Sequence, residues 1–409
     1  MMETVSKRAF EGIKICDFTW AGVGPFTTKY FADHGASVVR IESLHKPDGL
    51  RTSPPFKDGI SGVNRAGHFA FMNANKYSIA LNMNHPRAIE IVHKMVAWAD
   101  IVTENFVPGQ MEKWGLDYEN LKKIKPDIIM YRASNQGQTG PHAQQPGFGS
   151  HLIGLSGFAS ITGWPDKAPV QPYGAYTDVV SFPLGASALI AALIYRNRTG
   201  KGQCVDLSQF EASVHFLAPL IMDYTVNKRE AGRMGNRHSC FAPHGVYRCK
   251  GQERWCAIAI SSEEEWEAFC RCLGRPELTK DSRFATFQDR KQNEDELDRL
   301  IEEWTVNSTP EEIMAMMQEK GVPAGIVENA QDITEDPQLK ERGHFWNIGG
   351  HSEMGSFIYL GQPYTMSKTP PEPRLPSPCL GEHTEYVCRQ FLGMSDTEFL
   401  EIVNAGVFE

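Results

Sequence analysis

The chain is poor in the features that announce many functional classes. Its nine cysteines are an odd, scattered set with no CxxC pair, which suits a reducing, cytoplasmic setting better than a disulfide framework. Basic residues are outnumbered, 41 Lys and Arg against 50 Asp and Glu, for a formal net charge of -9; a nucleic-acid partner would call for a basic face. The most apolar run, Leu184 to Tyr195, is too short to span a bilayer and reads as core. The first fourteen residues mix Glu and Lys without an apolar stretch, so no signal peptide is expected. The cluster His238-x-Cys240-x-x-x-His244-x-x-x-x-Cys249 lacks the tight ligand pair of a zinc site, and no metal is assigned. A phosphate-binding P-loop, a Gly-x-Ser-x-Gly elbow and a His-Glu-x-x-His helix are also missing.

What is present is an ordinary globular composition, 41% hydrophobic and 22% charged over 409 residues, long enough for two domains. Ile13–Phe18 reads as a strand, Trp20–Pro25 as a turn, Phe26–His34 as a helix and Ser37–Glu42 as a second strand. Strands at Tyr77–Leu81, Ala99–Phe106 and Asp127–Tyr131 alternate with helices at Pro86–Trp98 and Tyr118–Ile124, the order of an α/β chain with an open, doubly wound parallel sheet. In such sheets ligands lie at the carboxyl ends of strands, so the loops at 20–24, 73–76, 105–113 and 134–141 form the candidate rim. A strand at Gln203–Leu207 and a helix at Gln209–Tyr224 follow. From 227 to about 330 the texture changes to a smaller α+β domain, with a hairpin joined at Lys250–Glu253 and capping boxes at Ser262-x-x-Glu265 and Thr309-x-x-Glu312. The stretch 331–409, a linker rich in proline and turns that ends in a helical segment, is expected to return to the large domain.

Two places carry chemistry. Gly22-x-Gly24 follows a strand and Glu42 stands twenty positions later, which imitates a dinucleotide fingerprint; Thr27 replaces the third glycine. That pattern supports a nicotinamide-dependent oxidoreductase or a plain glycine turn. The second place is Gly174-Ala175-Tyr176-Thr177-Asp178, ahead of a helix expected from Ser181 to Arg196. That helix is apolar on nearly every side and therefore buried, with Pro183 in its first turn. Asp178 reads as a cap or turn former on the one hand. On the other, it is a carboxylate nucleophile kept ionised by the helix dipole, at the mouth of a pocket.

Several stretches together resemble the class III CoA-transferases, a family whose members include carnitine, formyl-CoA and benzylsuccinate CoA-transferases and the α-methylacyl-CoA racemases. They are Asp17-Phe18 with Gly24-Pro25, Asn75-Lys76 with Ser78-Ile79, Glu104-Asn105-Phe106 with Pro108-Gly109, and Gly137–Pro141. Thr199–Gln203, Gly321–Gly325, Asp336–Leu339 and Leu380–Thr384 continue the series nearly end to end. The resemblance implies a Rossmann-like large domain and a second, smaller one. It implies CoA transfer from an acyl-CoA such as succinyl-CoA to a free carboxylic acid, through aspartyl anhydride and aspartyl-CoA thioester intermediates. It matches Asp178 to the catalytic aspartate, and Gly22, Val23, Asn73, Asn75, Lys76, Asn105, Phe106, Val107 and Lys113 to the CoA site, with Lys76 and Lys113 facing the nucleotide phosphates. CoA is then a substrate, and no permanently bound cofactor is implied. Racemases of the family carry a Gly-His-Asp stretch; here Gly147 is followed by Phe148 and Gly149, without a base for α-proton exchange, so a racemase or acyl-CoA isomerase ranks below a transferase. Trp20, Phe148 and Gly149 mark a substrate pocket, in which Trp20 would suit a bulkier or aromatic acid; aromatic, betaine-like and dicarboxylic acceptors stay open. The resemblance further implies an interlocked homodimer, or a heteromer with a paralogous subunit.

Overall fold

The computed structural model describes residues 8–409. The chain divides into two compact units. The first holds the chain through Ala159, then Gln171–Glu230 and Glu341–Glu409; the second holds Ser160–Val170 and Ala231–Lys340. The smaller unit therefore includes an eleven-residue excursion ahead of the Asp178 helix, outside the expected span of 227 to 330.

The first unit is built on β1 (Lys14–Asp17), α1 (Val23–Asp33), β2 (Ser37–Glu42), α2 (Gly67–Asn73), β3 (Tyr77–Ala80), α3 (Ala88–Trp98), β4 (Ile101–Glu104), α4 (Gln110–Lys113), α5 (Tyr118–Ile124) and β5 (Ile129–Ser134). Then come α6 (Gly149–Leu155), α7 (Phe158–Ile161), α8 (Tyr176–Thr199), β6 (Cys204–Ser208), α9 (Gln209–Phe216) and α10 (Ala218–Asn227). The six strands form one sheet in the order β3-β2-β1-β4-β5-β6, and every neighbouring pair is parallel. This is the doubly wound order, whose direction reverses between β1 and β4.

Alternation along the strands feeds two apolar layers. Ile15, Val38, Ile101 and Ile129 face a core shared with Phe31 of α1 and with Ala186, Leu189 and Leu193 of α8. Their chain neighbours Cys16, Val39, Val102 and Met130 face the other core, with Ile91, Val92 and Met95 of α3 and Leu121 of α5.

Helix α8 departs from expectation in three ways. It begins at Tyr176, so Asp178 lies in its first turn and not in the preceding loop, and Pro183 sits inside it. At 24 residues it is long and apolar enough to cross a membrane by length and composition alone, yet Ala186, Leu189 and Leu193 pack into the sheet's core. Its other face is open in this chain, with Val179, Leu184, Ile194 and Tyr195 exposed. The helix expected over Gln209–Tyr224 breaks at Leu217, the cap shared by α9 and α10, where Pro219 enters the next helix at its start.

In the second unit β7 (His244–Arg248), β8 (Trp255–Ala259) and β9 (Ala324–Ile326) form an antiparallel sheet. Helices α11 (Glu263–Cys272), α12 (Phe287–Gln292), α13 (Glu294–Thr305) and α14 (Pro310–Glu319) belong to the same unit. Trp266, Phe269, Leu297, Ile301, Ile313 and Met317 build its core. Both expected capping boxes close, at Ser262/Glu265 and at Thr309/Glu312. His238, from the cluster set aside for metal, stacks on Phe241 with ring centroids 4.4 Å apart.

After α15 (Ala330–Glu335) and α16 (Pro337–Glu341) the chain forms a hairpin, β10 (Phe345–His351) and β11 (Gly355–Leu360), then α17 (Thr384–Tyr386) and α18 (Asp396–Asn404). This return covers the outer edge of β3. His383 N donates to Ser78 O at 2.9 Å, Ala80 N to Thr384 Oγ1 at 3.1 Å, and Asn82 N to Val407 O at 2.8 Å. An edge strand left bare would offer its amides to another chain; here the Leu380–Thr384 stretch occupies them.

Candidate active site

The loop after β1 is held from below by a carboxylate with nearly all its capacity used. Asp17 Oδ1 accepts from Thr19 N at 2.9 Å, Thr19 Oγ1 at 2.5 Å and Thr103 Oγ1 at 2.9 Å, while Oδ2 accepts from Thr28 Oγ1 at 2.7 Å. Lys76 Nζ lies 3.6 Å from Asp17 Oδ2. Trp20 and Asn105 then clasp the loops after β1 and β4, Trp20 N donating to Asn105 Oδ1 at 2.7 Å and Asn105 Nδ2 to Trp20 O at 2.6 Å. The clasp spans the two strands between which the sheet reverses direction. Phe106 packs edge-on against Trp20, with centroids 5.9 Å apart. Its amide donates to Glu104 Oε2 at 2.7 Å, which fixes the loop leading to the exposed Val107 and Lys113.

Asp178 comes to this rim from the first turn of α8. A Cβ on Gly22 would overlap Asp178 Oδ2, and one on Gly149 would stand 2.9 Å from the same oxygen. The carboxylate therefore lies in a notch that only glycine leaves open on both sides. Thr177 Oγ1 donates to Gly149 O at 2.9 Å, which ties the start of α6 to the start of α8. Gln209 Nε2 donates to Asp178 Oδ1, whereas Oδ2 accepts no hydrogen bond from the described residues. Burial pushes the Asp178 carboxyl up and the Gln209 donor pulls it part of the way back, leaving it at about 6. It is thus mostly ionised at neutral pH but weakly solvated, the condition that makes a carboxylate nucleophilic.

The other residues singled out from the sequence fall into two groups. Gly22, Asn105, Phe106, Trp20 and Gly149 gather around the notch and clasp; Phe148, 71% exposed, adjoins Gly149. Val23 is buried in the apolar core that α1 and α8 share with the sheet. Asn73, Asn75 and Lys76 differ from the expectation that their side chains reach CoA, because all three are spent inside the fold. Asn73 Oδ1 accepts from Arg40 at 2.7 Å and from Lys76 Nζ at 3.0 Å. Asn75 Oδ1 takes the amides of Arg374 and Leu375 at 2.7 and 2.9 Å, pinning the returning segment. Lys76 is wholly buried, also donating to Pro25 O and Thr28 Oγ1. Burial drives its ammonium down to about 7, with Asp17 opposing. An amine so enclosed cannot meet a solvated phosphate.

Glu42 is likewise closed to a ribose. Its Oε2 accepts from Arg51 at 2.7 Å and from Ser78 at 2.6 Å. Burial raises its carboxyl, but Arg40 and Arg51 more than offset this and bring it to about 2. The dinucleotide reading therefore fails on the acidic residue it requires. Gln209 escaped the sequence reading; the only signal was a polar residue opening an apolar helix directly after a buried strand end, and its partner lies 31 positions away.

A doubly wound sheet takes its ligand at the switch point, here between β1 and β4, and the under-solvated Asp178 carboxyl at that rim marks a candidate enzyme active site. Residues 10–384 match the model of CoA-transferase family III. The chain is 30% identical over 405 residues to the succinyl-CoA:glutarate CoA-transferase of Mus musculus, covering 99% of this chain and 91% of that one. It is 31% identical over 392 residues to the succinyl-CoA–D-citramalate CoA-transferase of Chloroflexus aurantiacus, covering 96% of each. A solved CAIB/BAIF family protein from Brucella suis superposes with a TM-score of 0.87 at 32% identity, over 94% of this chain and all of that one. The chain belongs to CoA-transferase family III and is a class III CoA-transferase.

Proposed function

We propose that this enzyme moves CoA from succinyl-CoA or a similar acyl-CoA to a small dicarboxylic acid, with Asp178 as the covalent nucleophile. The observation that carries the reading is the notch between Gly22 and Gly149, in which Asp178 Oδ2 has no donor among the described residues while Oδ1 is held. Attack of Oδ2 on the thioester carbonyl forms a C–O bond and breaks the C–S bond, giving a mixed anhydride and CoA thiolate. The thiolate then attacks Asp178 Cγ, expels the donor acid and leaves an aspartyl-CoA thioester. The acceptor carboxylate reverses both steps and departs as its CoA ester. The first amides of α1, which have no acceptor within their helix, stand beside Gly22 and can serve the developing oxyanions.

The loop 105–107 and the exposed Lys113 are the proposed path of the CoA arm, and Trp20, Phe148 and Gly149 the proposed seat of the acid. The acceptor class follows the relatives, whose names specify glutarate and D-citramalate. CoA acts here as a substrate, and the reaction as written calls for no resident cofactor. We further propose an interlocked dimer: none of the residues of α10 is buried, and Ile221, Met222, Tyr224 and Val226 are exposed there as a second apolar face beside that of α8. A paralogous chain in place of the second copy is the heteromeric form of the same proposal. A cytoplasmic setting fits the nine free cysteines. The direct test mixes the protein with succinyl-CoA alone, quenches in acid and maps the adduct by mass spectrometry. A succinyl or CoA mass on Asp178 is expected; adduct on another residue, or none during turnover, removes the reading.

A further inference from the structure

We infer that Gln209 is a second catalytic residue, holding Asp178 Oδ1 in the resting enzyme and donating to that same atom when it becomes an oxyanion during the aspartyl steps. The inference rests on Asp178 being the nucleophile. Gln209 opens α9 and is 2% exposed. Its backbone is fixed by Ser213 Oγ, which donates to Gln209 O at 2.8 Å. Both amide hydrogens have acceptors: Thr177 Oγ1 at 3.3 Å and Asp178 Oδ1. Thr177 has already given its own proton to Gly149 O, so it can meet Gln209 only as an acceptor. Gln209 Nε2 therefore donates to both sides, one N–H to Thr177 and the other to the Asp178 carboxylate.

The consequence follows from which carbon is attacked. In the anhydride and in the thioester, Oδ2 or sulfur carries the transferred group and Oδ1 is the carbonyl oxygen of Cγ. When CoA thiolate adds to Cγ of the anhydride, the carbonyl electron pair moves onto Oδ1; it returns as the donor carboxylate leaves. When the acceptor carboxylate adds to Cγ of the thioester, the pair moves onto Oδ1 again and returns as thiolate leaves. Two of the four displacements thus place a full negative charge on the atom that Gln209 already faces. Attack on the substrate's own carbonyl carbon does not. The amide is in place beforehand, so no reorganisation accompanies the charge.

No neighbouring charge supplants it. Lys29 and Asp33 of α1 pair with each other at 2.5 Å, and Arg132 of β5 pairs with Glu104 and Glu112. Asp206 of β6 accepts from Gln138 N, and His151, Glu211 and His215, on α6 and α9, make no hydrogen bond to Asp178 among the described residues.

The test compares Gln209→Leu and Gln209→Glu with the wild type in steady-state kinetics across pH and in acid-quenched intact-mass spectra after mixing with succinyl-CoA. For Gln209→Leu, kcat should fall by on the order of 10²–10³, the cost of one oxyanion donor, with KM for both substrates within about threefold. The acid limb of kcat/KM should move above 6, since the donor that favoured the ionised carboxylate is gone. The quenched spectra should show the succinyl adduct accumulating ahead of the CoA adduct. Gln209→Glu keeps the shape and can donate only while protonated, so its activity should decline as pH rises, opposite to the wild type; this variant decides the matter should the leucine variant fold poorly. A leucine variant within threefold of wild-type kcat, with an unmoved acid limb and an unchanged adduct ratio, overturns the assignment to Gln209 and leaves Asp178 standing. Turnover by the wild type without any Asp178 adduct overturns both.

Discussion

Asp17 and Asp178 are both carboxylates at the carboxyl-end rim of the same sheet, and they are treated in opposite ways. Asp17 is wholly buried, with four short donors from threonines and an ammonium at 3.6 Å. Among the described residues Asp178 has one donor, an oxygen with none, and glycines where side chains would otherwise crowd it. A carboxylate whose lone pairs are all engaged is a fastening, since attack by it would break every bond it makes. A carboxylate left short of donors retains its basicity for a substrate. The number of donors, more than depth, separates structure from chemistry at this rim.

Mutating each carboxylate sharpens that contrast. Asp178→Ala should lower kcat/KM by on the order of 10⁴ or more with an unchanged circular dichroism spectrum; a loss below tenfold would place the two residues in one category. Asp17→Ala should instead destabilise the fold by about 3–5 kcal/mol in urea unfolding, because Lys76 loses its buried counter-charge and the threonine hydroxyls lose their acceptor. Adding Lys76→Met to it should recover much of the loss, and no recovery would mean that the threonine hydroxyls, not the ion pair, dominate. The pH dependence should divide along the same line. Asp178 titrates in the folded protein at about 6, above its ordinary 3.8, so the folded state keeps a proton that the unfolded chain releases as pH rises from 4 to 6. Its destabilising contribution is therefore absent below about pH 4 and complete above about pH 6. Asp178→Asn should be more stable than wild type at pH 7.5 by on the order of 1–3 kcal/mol and no different at pH 4, as read by thermal unfolding, while wild-type kcat/KM climbs toward a plateau above pH 6. The smallest change is expected at Lys113. Its removal should raise KM for the acyl-CoA about two- to fivefold, the scale of one exposed charge, without altering kcat or the fold.

The sheet is legible because its buried parallel strands carry adjacent β-branched apolar residues, Val38, Val39 and Ile41 in one and Ile101 and Val102 in another, and Asp178 stands out because it precedes an apolar helix whose neighbours resemble a known family. The rest failed for identifiable reasons. Pro183 signals a helix start, but α8 has already begun at Tyr176, so Asp178 lies in its first turn and not in the preceding loop. The α8 pattern seemed apolar on every side because one face meets the sheet and the other stays open, and composition cannot tell these apart. Lys76 resembled a surface cation at a loop end; only three dimensions show Asp17, Asn73 and Thr28 closing around it. The β10–β11 hairpin was hidden by Gly349 and Gly350, where its register shifts between Ile348 and His351. Gln209 was invisible because its meaning lies wholly in a partner on another helix.

The sealing of β3 by the final stretch of the chain has a consequence for biosynthesis. Strand β3 is synthesised about 300 residues ahead of His383 and Thr384, which take up its outer amides, and of Val407, which takes the amide of Asn82 just after it. Until that later stretch has been made, the nascent large unit carries an unsatisfied, sticky margin. The burden of keeping such a polypeptide from associating with its neighbours therefore falls on the interval between the synthesis of β3 and that of Leu380–Thr384.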